Sequence, residues 1–352
     1  MRLRSRVIVT PLTIIALGLA ACSTPTASAP ANGSADAGAS APPETGTVTI
    51  YSGRSEELVG PLLEQFSEAT GIEVEARYGD TAEMATLILT EGENSPADVF
   101  FAQDAGALGA VAEQGLLTAL PNEILDQVDE RFRSPTGEWV GVSGRARVVV
   151  YNTETLSEAD LPDSIFGFTD PEWSGRIGWA PTNGSFQSFV TALREIEGED
   201  RAREWLEGIE ANDPSVYEGN NPALDAVIAG EVDVAFINHY YLMQRLVEDP
   251  DAPAANYFVT DGDPGALVNV AGAGILDTSE NSEAARELVE YLLSTEAQEY
   301  FATETKEYPL LEGVEPDGDL PSLEEIGTPE IDLSDLSDLD GTLELLQDVG
   351  IL

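Results

Sequence analysis

Between residues 47 and 114, short apolar β-runs alternate with amphipathic helices, and this alternation constrains the fold more than any other feature of the sequence. Residues 48–51 read as a buried strand and 55–69 as a helix, with Leu58, Leu62, Phe66 and Ala69 at helical spacing. Gly71 stops that helix. Residues 72–77 alternate as a strand, a helix capped by Asp80 or Thr81 runs through Leu89, and 98–101 form a third strand before a helix over 105–114. Strand–helix steps this short build an α/β layer with a largely parallel sheet. Residues 139–142 and 145–151 are β-branched without helical period, which suits strands crossing between lobes. The α/β pattern resumes over 175–179, 185–196, 202–211 and 221–229, and a buried strand over 232–237 ends at Asn238-His239-Tyr240-Tyr241. A second β-rich run, 266–276, can return the chain to the first lobe; helices over 282–293 and 296–303 and an acidic tail with a helix over 342–349 follow.

A chain of 352 residues suits two domains, and 42% hydrophobic residues can fill two cores. Its formal charge of −49 repels phosphate backbones and excludes a nucleic-acid partner. Lys306 is the only lysine. Such an acidic, lysine-poor surface fits a salt-rich habitat or an acidic proteome, and both readings stand. One cysteine, Cys22, rules out an intrachain disulfide and zinc sites with several cysteine ligands. One histidine, His239, rules out multi-histidine metal sites and leaves little for histidine-based catalysis, so an enzyme is not expected.

Residues 1–21 read as an export signal: Arg2, Arg4 and Arg6 precede an apolar stretch too short to span a membrane comfortably. Leu19-Ala20-Ala21-Cys22 is similar to a bacterial lipobox, with Cys22 the expected site of lipidation and membrane anchoring. Residues 22–46, rich in Ala, Ser, Pro, Gly and Thr, read as a flexible tether.

The chemistry concentrates in tyrosines and arginines. Tyr240-Tyr241 follows a strand at its carboxyl end, where α/β sheets gather ligands, and Tyr51 and Tyr151 also end strands. Adjacent tyrosines also serve simply as core packing. A phenolate is a hard anionic oxygen donor, and free phenol titrates near about 10, so only a strongly acidic cation such as Fe³⁺ would deprotonate several at neutral pH. Arg54, Arg145 and Arg147 lie near Tyr51 and Tyr151 in sequence; each can clamp a planar anion or pair with a surface acid. Residues 182–185 and 103–106 precede helices, whose free N–H groups can hold an anion.

Ile50-Tyr51-Ser52-Gly53-Arg54, Pro96-Ala97-Asp98-Val99-Phe100, Ser143-Gly144-Arg145-Ala146-Arg147, Val148-Val149-Val150-Tyr151-Asn152, Ala180-Pro181-Thr182, Asn238-His239-Tyr240-Tyr241 and Asp263-Pro264-Gly265-Ala266-Leu267-Val268 together carry a resemblance over about 48–309. The chain resembles the periplasmic ferric-iron-binding proteins of ABC importers, in the type II solute-binding class. The resemblance implies a type II periplasmic-binding-protein fold: two α/β lobes, 47–143 with 266–305 and 144–265 with 306–352, joined by hinge strands around a ligand cleft. It implies Tyr240 and Tyr241 as iron ligands and Tyr151 as a third. The expected anion site is Arg54, Arg145, Arg147, Asn183, Gly184, Ser185, Asn220 and Asn238. Many relatives have His after the first strand's Tyr-Ser, where Arg54-Ser55-Glu56 stand here, and some have Glu where Gln103 stands, which makes Gln103 only a cleft candidate. Carbonate, or phosphate, would fill the missing coordination sites. The expectation is a monomeric, lipid-anchored, extracytoplasmic receptor delivering Fe³⁺ to an ABC permease; the alternative is a sibling receptor for a phosphate ester, thiamine or a polyamine.

Overall fold

The computed structural model describes residues 46–352. The expected signal 1–21, Cys22 and all but the last residue of the tether lie outside the described residues.

The first lobe begins with β1 (Thr47–Ser52), α1 (Glu56–Thr70), β2 (Glu73–Tyr78), α2 (Thr81–Glu91), β3 (Val99–Ala102) and α3 (Ala105–Glu113). β1 pairs in parallel with both β2 and β3. α1 lays Val59, Leu62, Leu63 and Phe66 on the sheet, the stripe expected of 3.6 residues per turn. It ends at Gly71, whose φ of 78° is the left-handed cap glycine adopts without steric cost. β2 is the sheet's edge, and its half-exposed alternation Glu-Val-Glu-Ala-Arg-Tyr suits one face packed and one face wet. After α3 a short helix, α4 (Asn122–Leu125), leads into the longest strand, β4 (Trp139–Asn152).

All fourteen residues of β4 are buried, because the strand belongs to both lobes. Its first half pairs antiparallel with β9 (Val268–Ile275), from Trp139 opposite Gly274 to Ala146 opposite Val268. Its second half pairs antiparallel with β7 (Val234–Asn238) and β8 (Ala254–Tyr257). The second lobe adds β5 (Ile177–Trp179), α5 (Gly184–Glu197), α6 (Glu199–Ala211), β6 (Ser215–Val216), α7 (Asn220–Ile228) and α8 (His239–Glu248). The strand order β2-β1-β3-β9-β4-β7-β5-β6 makes β4 the shared spine, and the chain returns to the first lobe where Arg147 N–H donates to Leu267 O, 2.8 Å. Trp179, Phe186, Phe189, Trp205 and Phe236 form a tilted and edge-on aromatic cluster under α5 and α6. Burying such large side chains contributes roughly 1.5–3 kcal/mol each relative to exposure, so the platform beneath the second lobe's ligand-facing loops is rigid.

Past β9 come α9 (Ser282–Leu292), α10 (Thr295–Tyr300), a π-helical turn over Phe301–Thr305, β10 (Tyr308–Pro309), α11 (Leu323–Ile326) and α12 (Leu339–Val349). Lys306 follows the π turn at φ 61°, a left-handed conformation uncommon outside glycine. The tail departs from its expected place. Residues 306–352 were expected in the second lobe, yet β10 pairs with Ser143 and Gly144 on the first lobe's side of β4. A 3₁₀ turn over Leu333–Ser337 packs on α3, and only then does α12 settle on α5 and α6. The reason is apolar: Leu333 and Leu336 are buried in a turn that packs on α3 and also touches α5, and Leu345 and Leu346 are buried in a helix that packs on α5 and α6.

Candidate metal and anion site at the hinge

β7 delivers the chain to the hinge at Asn238, and α8 starts there, so Tyr240 and Tyr241 occupy the helix's first turn. Their rings stack at 4.3 Å and 27°. Tyr240 is buried and Tyr241 half-buried. Burial, then the neighbouring Tyr241, raises the Tyr240 phenol above its ordinary value, against a downward pull from Arg145. The Tyr240 phenol therefore holds its proton at neutral pH until a strong Lewis acid displaces it. His239 does different work. It is fully buried, its Nδ1 accepts from Ala146 N–H at 3.2 Å, and its ring packs 4.7 Å from Tyr308. Burial lowers it to about 4, so it is a neutral packing group. Among the described residues no cluster of three or more His, Cys, Asp or Glu could hold a metal, which leaves the phenols as the natural cation donors.

The basic residues separate by pairing. Thirteen lie in the described chain, and ten of them form ion pairs with carboxylates. Of the other three, Arg77 is exposed, over the Tyr51 ring. Arg145 and Arg147, two residues apart on β4, are buried without a carboxylate partner. Arg145 Nη2 donates to the Gln103 carbonyl, and its Nε has no partner. Arg147 donates to Phe236 O (2.8 Å) and Asn238 Oδ1 (3.2 Å) and lies 5.4 Å over the Phe189 ring. Burial lowers its guanidinium to about 10, opposed by Tyr241 and then Tyr240, so it stays charged at neutral pH. Arg145 feels the charges of Glu307 and Asp104 without an ion-pair contact to either, and two buried guanidinium groups side by side favour an anion between them.

The helix-start loop faces the same place. Asn183 caps α5, its Oδ1 accepting from Ser185 N–H (3.0 Å) and Ser185 Oγ (2.6 Å). Asn220 Nδ2 donates to Asn183 Oδ1 and Ser185 Oγ, while its own Oδ1 is unpartnered. Arg147 Nη1 reaches Ser185 Oγ at 3.5 Å. A side chain built on Gly184 would meet nothing within 4 Å, so this turn opens onto the cleft. A cavity of about 730 Å³ between the lobes is lined by Gln103, Asp104, Arg145, Asn183 and Ser185, among others. Neither the tyrosine rings nor Arg147 is part of that wall; Tyr240 lies close enough to Arg145, and both tyrosines to Arg147, for their charges to interact.

Two expected site residues lie elsewhere. Tyr151 stands opposite Val234 and Ala255, four positions along β4 from the Arg147–Asn238 pair, or about 13 Å at strand rise. Burial and then Glu158 raise its phenol above the ordinary value. Arg54 is ion-paired with Glu307: Nη2 meets both carboxylate oxygens at 2.8 and 2.9 Å, with both side chains 1% exposed, while its Nε has no partner. Ser143 Oγ adds a 2.7 Å bond to the same carboxylate. Burial raises Glu307, but Arg54 and then Arg145 outweigh it and hold the carboxyl below its usual range. Glu307 had no local signal in the sequence, being one of 65 acids. Tyr51 donates to Glu91 at 3.3 Å on the first lobe's edge, away from the hinge.

Residues 94–329 match the family of bacterial extracellular solute-binding proteins. The major ferric iron-binding protein of Neisseria meningitidis serogroup B is 35% identical over 316 residues, 88% of this chain and 95% of that one. The Fe(3+)-binding periplasmic protein of Serratia marcescens is 33% identical over 87% of this chain and 90% of its own length. The crystal structure of iron-bound HitA from Pseudomonas aeruginosa superimposes with a TM-score of 0.81 at 36% identity, covering 87% of this chain and 99% of that one. The fold is thus the two-lobe mixed α/β fold of periplasmic binding proteins, as the sequence led one to expect. A binding rather than an enzymatic role accords with this match, and the chain belongs to the bacterial extracellular solute-binding protein family.

Proposed function

We propose that this chain is an extracytoplasmic receptor that captures ferric iron at Tyr240 and Tyr241, together with an anion held by Arg145, Arg147 and the start of α5. The observation that carries the reading is the stacked phenol pair beside two buried arginines that have no carboxylate partner. Iron-binding relatives covering most of this chain support it. Two phenolates leave Fe³⁺ with one positive charge. A carbonate dianion would make the complex mononegative, a charge the two guanidinium groups can balance while their planar forks orient the anion. Phosphate against Asn183, Gly184 and Ser185, with Asn220 and Asn238 behind, is the second anion geometry. With Tyr151 remote, two protein donors leave four positions of a six-coordinate ion for anion and water, so the anion requirement is stronger than three tyrosines would give. Handover to an ABC permease and attachment through a lipid on Cys22 complete the proposed role.

Titrating the soluble protein with Fe³⁺ in bicarbonate buffer tests this. A visible tyrosinate-to-iron charge-transfer band is expected, lost in Tyr240→Phe. A colourless ferric complex would refute tyrosinate coordination. The cavity of about 730 Å³ exceeds what iron and carbonate need, which favours a larger organic solute as the second reading. Calorimetry with a phosphate ester in the absence of iron separates the two.

A further inference from the structure

We infer that residues 333–349 form a strap which ties the two lobes together along one flank of the cleft and must peel off the first lobe for the cleft to open. The inference rests on the reading above only in taking the lobes to open and close around their ligand.

The first-lobe end of the strap is a 3₁₀ turn, Leu333–Ser337, docked on α3. α3 is built to receive it. A Cβ on Gly109 would sit 2.5 Å from Ser334 O, and one on Gly106 would overlap the Leu336 carbonyl, so only glycine admits the strap's backbone at these two positions. Leu333 and Leu336 are buried there, Trp139 Nε1 donates to Ser334 Oγ at 3.3 Å, and Ser337 Oγ donates to Glu113 Oε1 at 3.3 Å. The second-lobe end is α12. Thr342 shares a 2.7 Å hydrogen bond with Thr191, Arg194 grips Asp338 at 2.8 Å and Thr342 at 3.0 Å, and Leu345 and Leu346 are buried. Residues 336–340 line the cleft between these two anchors.

The strap has no slack. The 3₁₀ turn ends at Ser337 and α12 begins at Leu339, so Asp338 alone separates them. One residue spans at most about 3.6 Å. A hinge motion that separates α3 from α5 by more than a few ångström must therefore undock one anchor. Each anchor buries two leucines, but α12 is eleven residues long and is clamped by Arg194 through Asp338 and Thr342, whereas the five-residue turn makes two 3.3 Å side-chain hydrogen bonds to the first lobe and itself also touches α5. Opening thus detaches Leu333–Ser337 and leaves α12 in place. The strap makes the closed state the default and slows ligand escape.

The test compares wild type with Gly109→Leu, which blocks docking on α3, and with Arg194→Met/Asp338→Asn, which loosens the other anchor on the surface. Cooperative thermal unfolding confirms that each is folded. Small-angle scattering without iron should give a larger radius of gyration for both variants than for wild type. Amide hydrogens of 333–337 should exchange at least tenfold faster in iron-free than in iron-loaded wild type, while those of 342–346 do not change. Iron-loaded variants should lose iron to a chelator several-fold faster than wild type, with the same visible band. Folded variants with wild-type radius and wild-type exchange over 333–337 would overturn the strap. Scattering and exchange in the iron-free protein remain decisive if no iron binds, so failure of the ligand assignment is distinguishable.

Discussion

Glu307→Gln is the sharpest test of the hinge electrostatics. The substitution keeps the side chain's shape and one acceptor oxygen but removes the charge facing Arg54, which is 1% exposed and has no other carboxylate partner. Removing one partner of a buried pair costs about 3–5 kcal/mol, because the remaining charge is stranded in low dielectric. The amide can still accept from Arg54 Nη2 and Ser143 Oγ, so the expected loss is at the lower end, about 3 kcal/mol. Urea unfolding at pH 7 of the mature protein with Cys22→Ser measures it. The double variant Arg54→Leu/Glu307→Leu should lose much less, since no buried charge remains. The pH dependence has a fixed sign. The folded-state carboxyl of Glu307 lies below its usual value, so its contribution is present above the unfolded carboxyl's pKa of about 4.3 and is lost as pH falls through the folded value. The gap between wild type and Glu307→Gln must accordingly narrow in acid. A loss under about 1 kcal/mol at pH 7 would show that Arg54 does not depend on Glu307 for its charge balance.

The site makes three further demands. Tyr240→Phe and Tyr241→Phe should each fold normally and weaken iron binding at least about tenfold, roughly 1.4 kcal/mol, in competition with a chelator, whereas Tyr151→Phe should bind within about twofold of wild type; a large loss in Tyr151→Phe would contradict the register that separates it from the hinge. Arg145→Gln should abolish the gain in iron affinity that bicarbonate gives in degassed buffer, and an unchanged bicarbonate response would remove Arg145 from the anion site. Because Fe³⁺ takes the place of the proton on each phenol it binds, affinity should rise with pH by up to about a hundredfold per unit while two protons are released, and a flat profile between pH 6 and 8 would exclude coordination by both tyrosines.

Much of the architecture was legible because local signals and the fold agree. α1 carries its stripe and its glycine stop, and β4 and β9 are the extended runs that amphipathic patterning could not assign to one lobe. The place of Tyr240 and Tyr241 just past β7 was legible because chain direction alone puts a residue at a strand's carboxyl end. Tyr151 satisfied the same rule and still misled, since β4 runs through the hinge and its carboxyl end lies on the far side of the second lobe. Strand ends mark ligand sites only once strand direction relative to the cleft is known. Arg54 was misassigned because its partner lies 253 residues away, a separation no local pattern encodes. The tail's double allegiance was hidden similarly: its leucines announce burial, but not that a turn bridging α3 and α5 is followed at once by a helix on α5 and α6.

Arg145 and Arg147 are two residues apart on a shared strand, yet one is tethered to the first lobe through the Gln103 carbonyl and the other to the second through Phe236 and Asn238. Their guanidinium groups therefore act as the jaws of a caliper. Any twist of β4 between them, which is what a hinge rotation amounts to at this point, changes the gap between the jaws. On the proposed function, an anion of fixed width would fit at one setting and rattle or clash at others, so it would gauge the angle between the lobes and reward a single value of it.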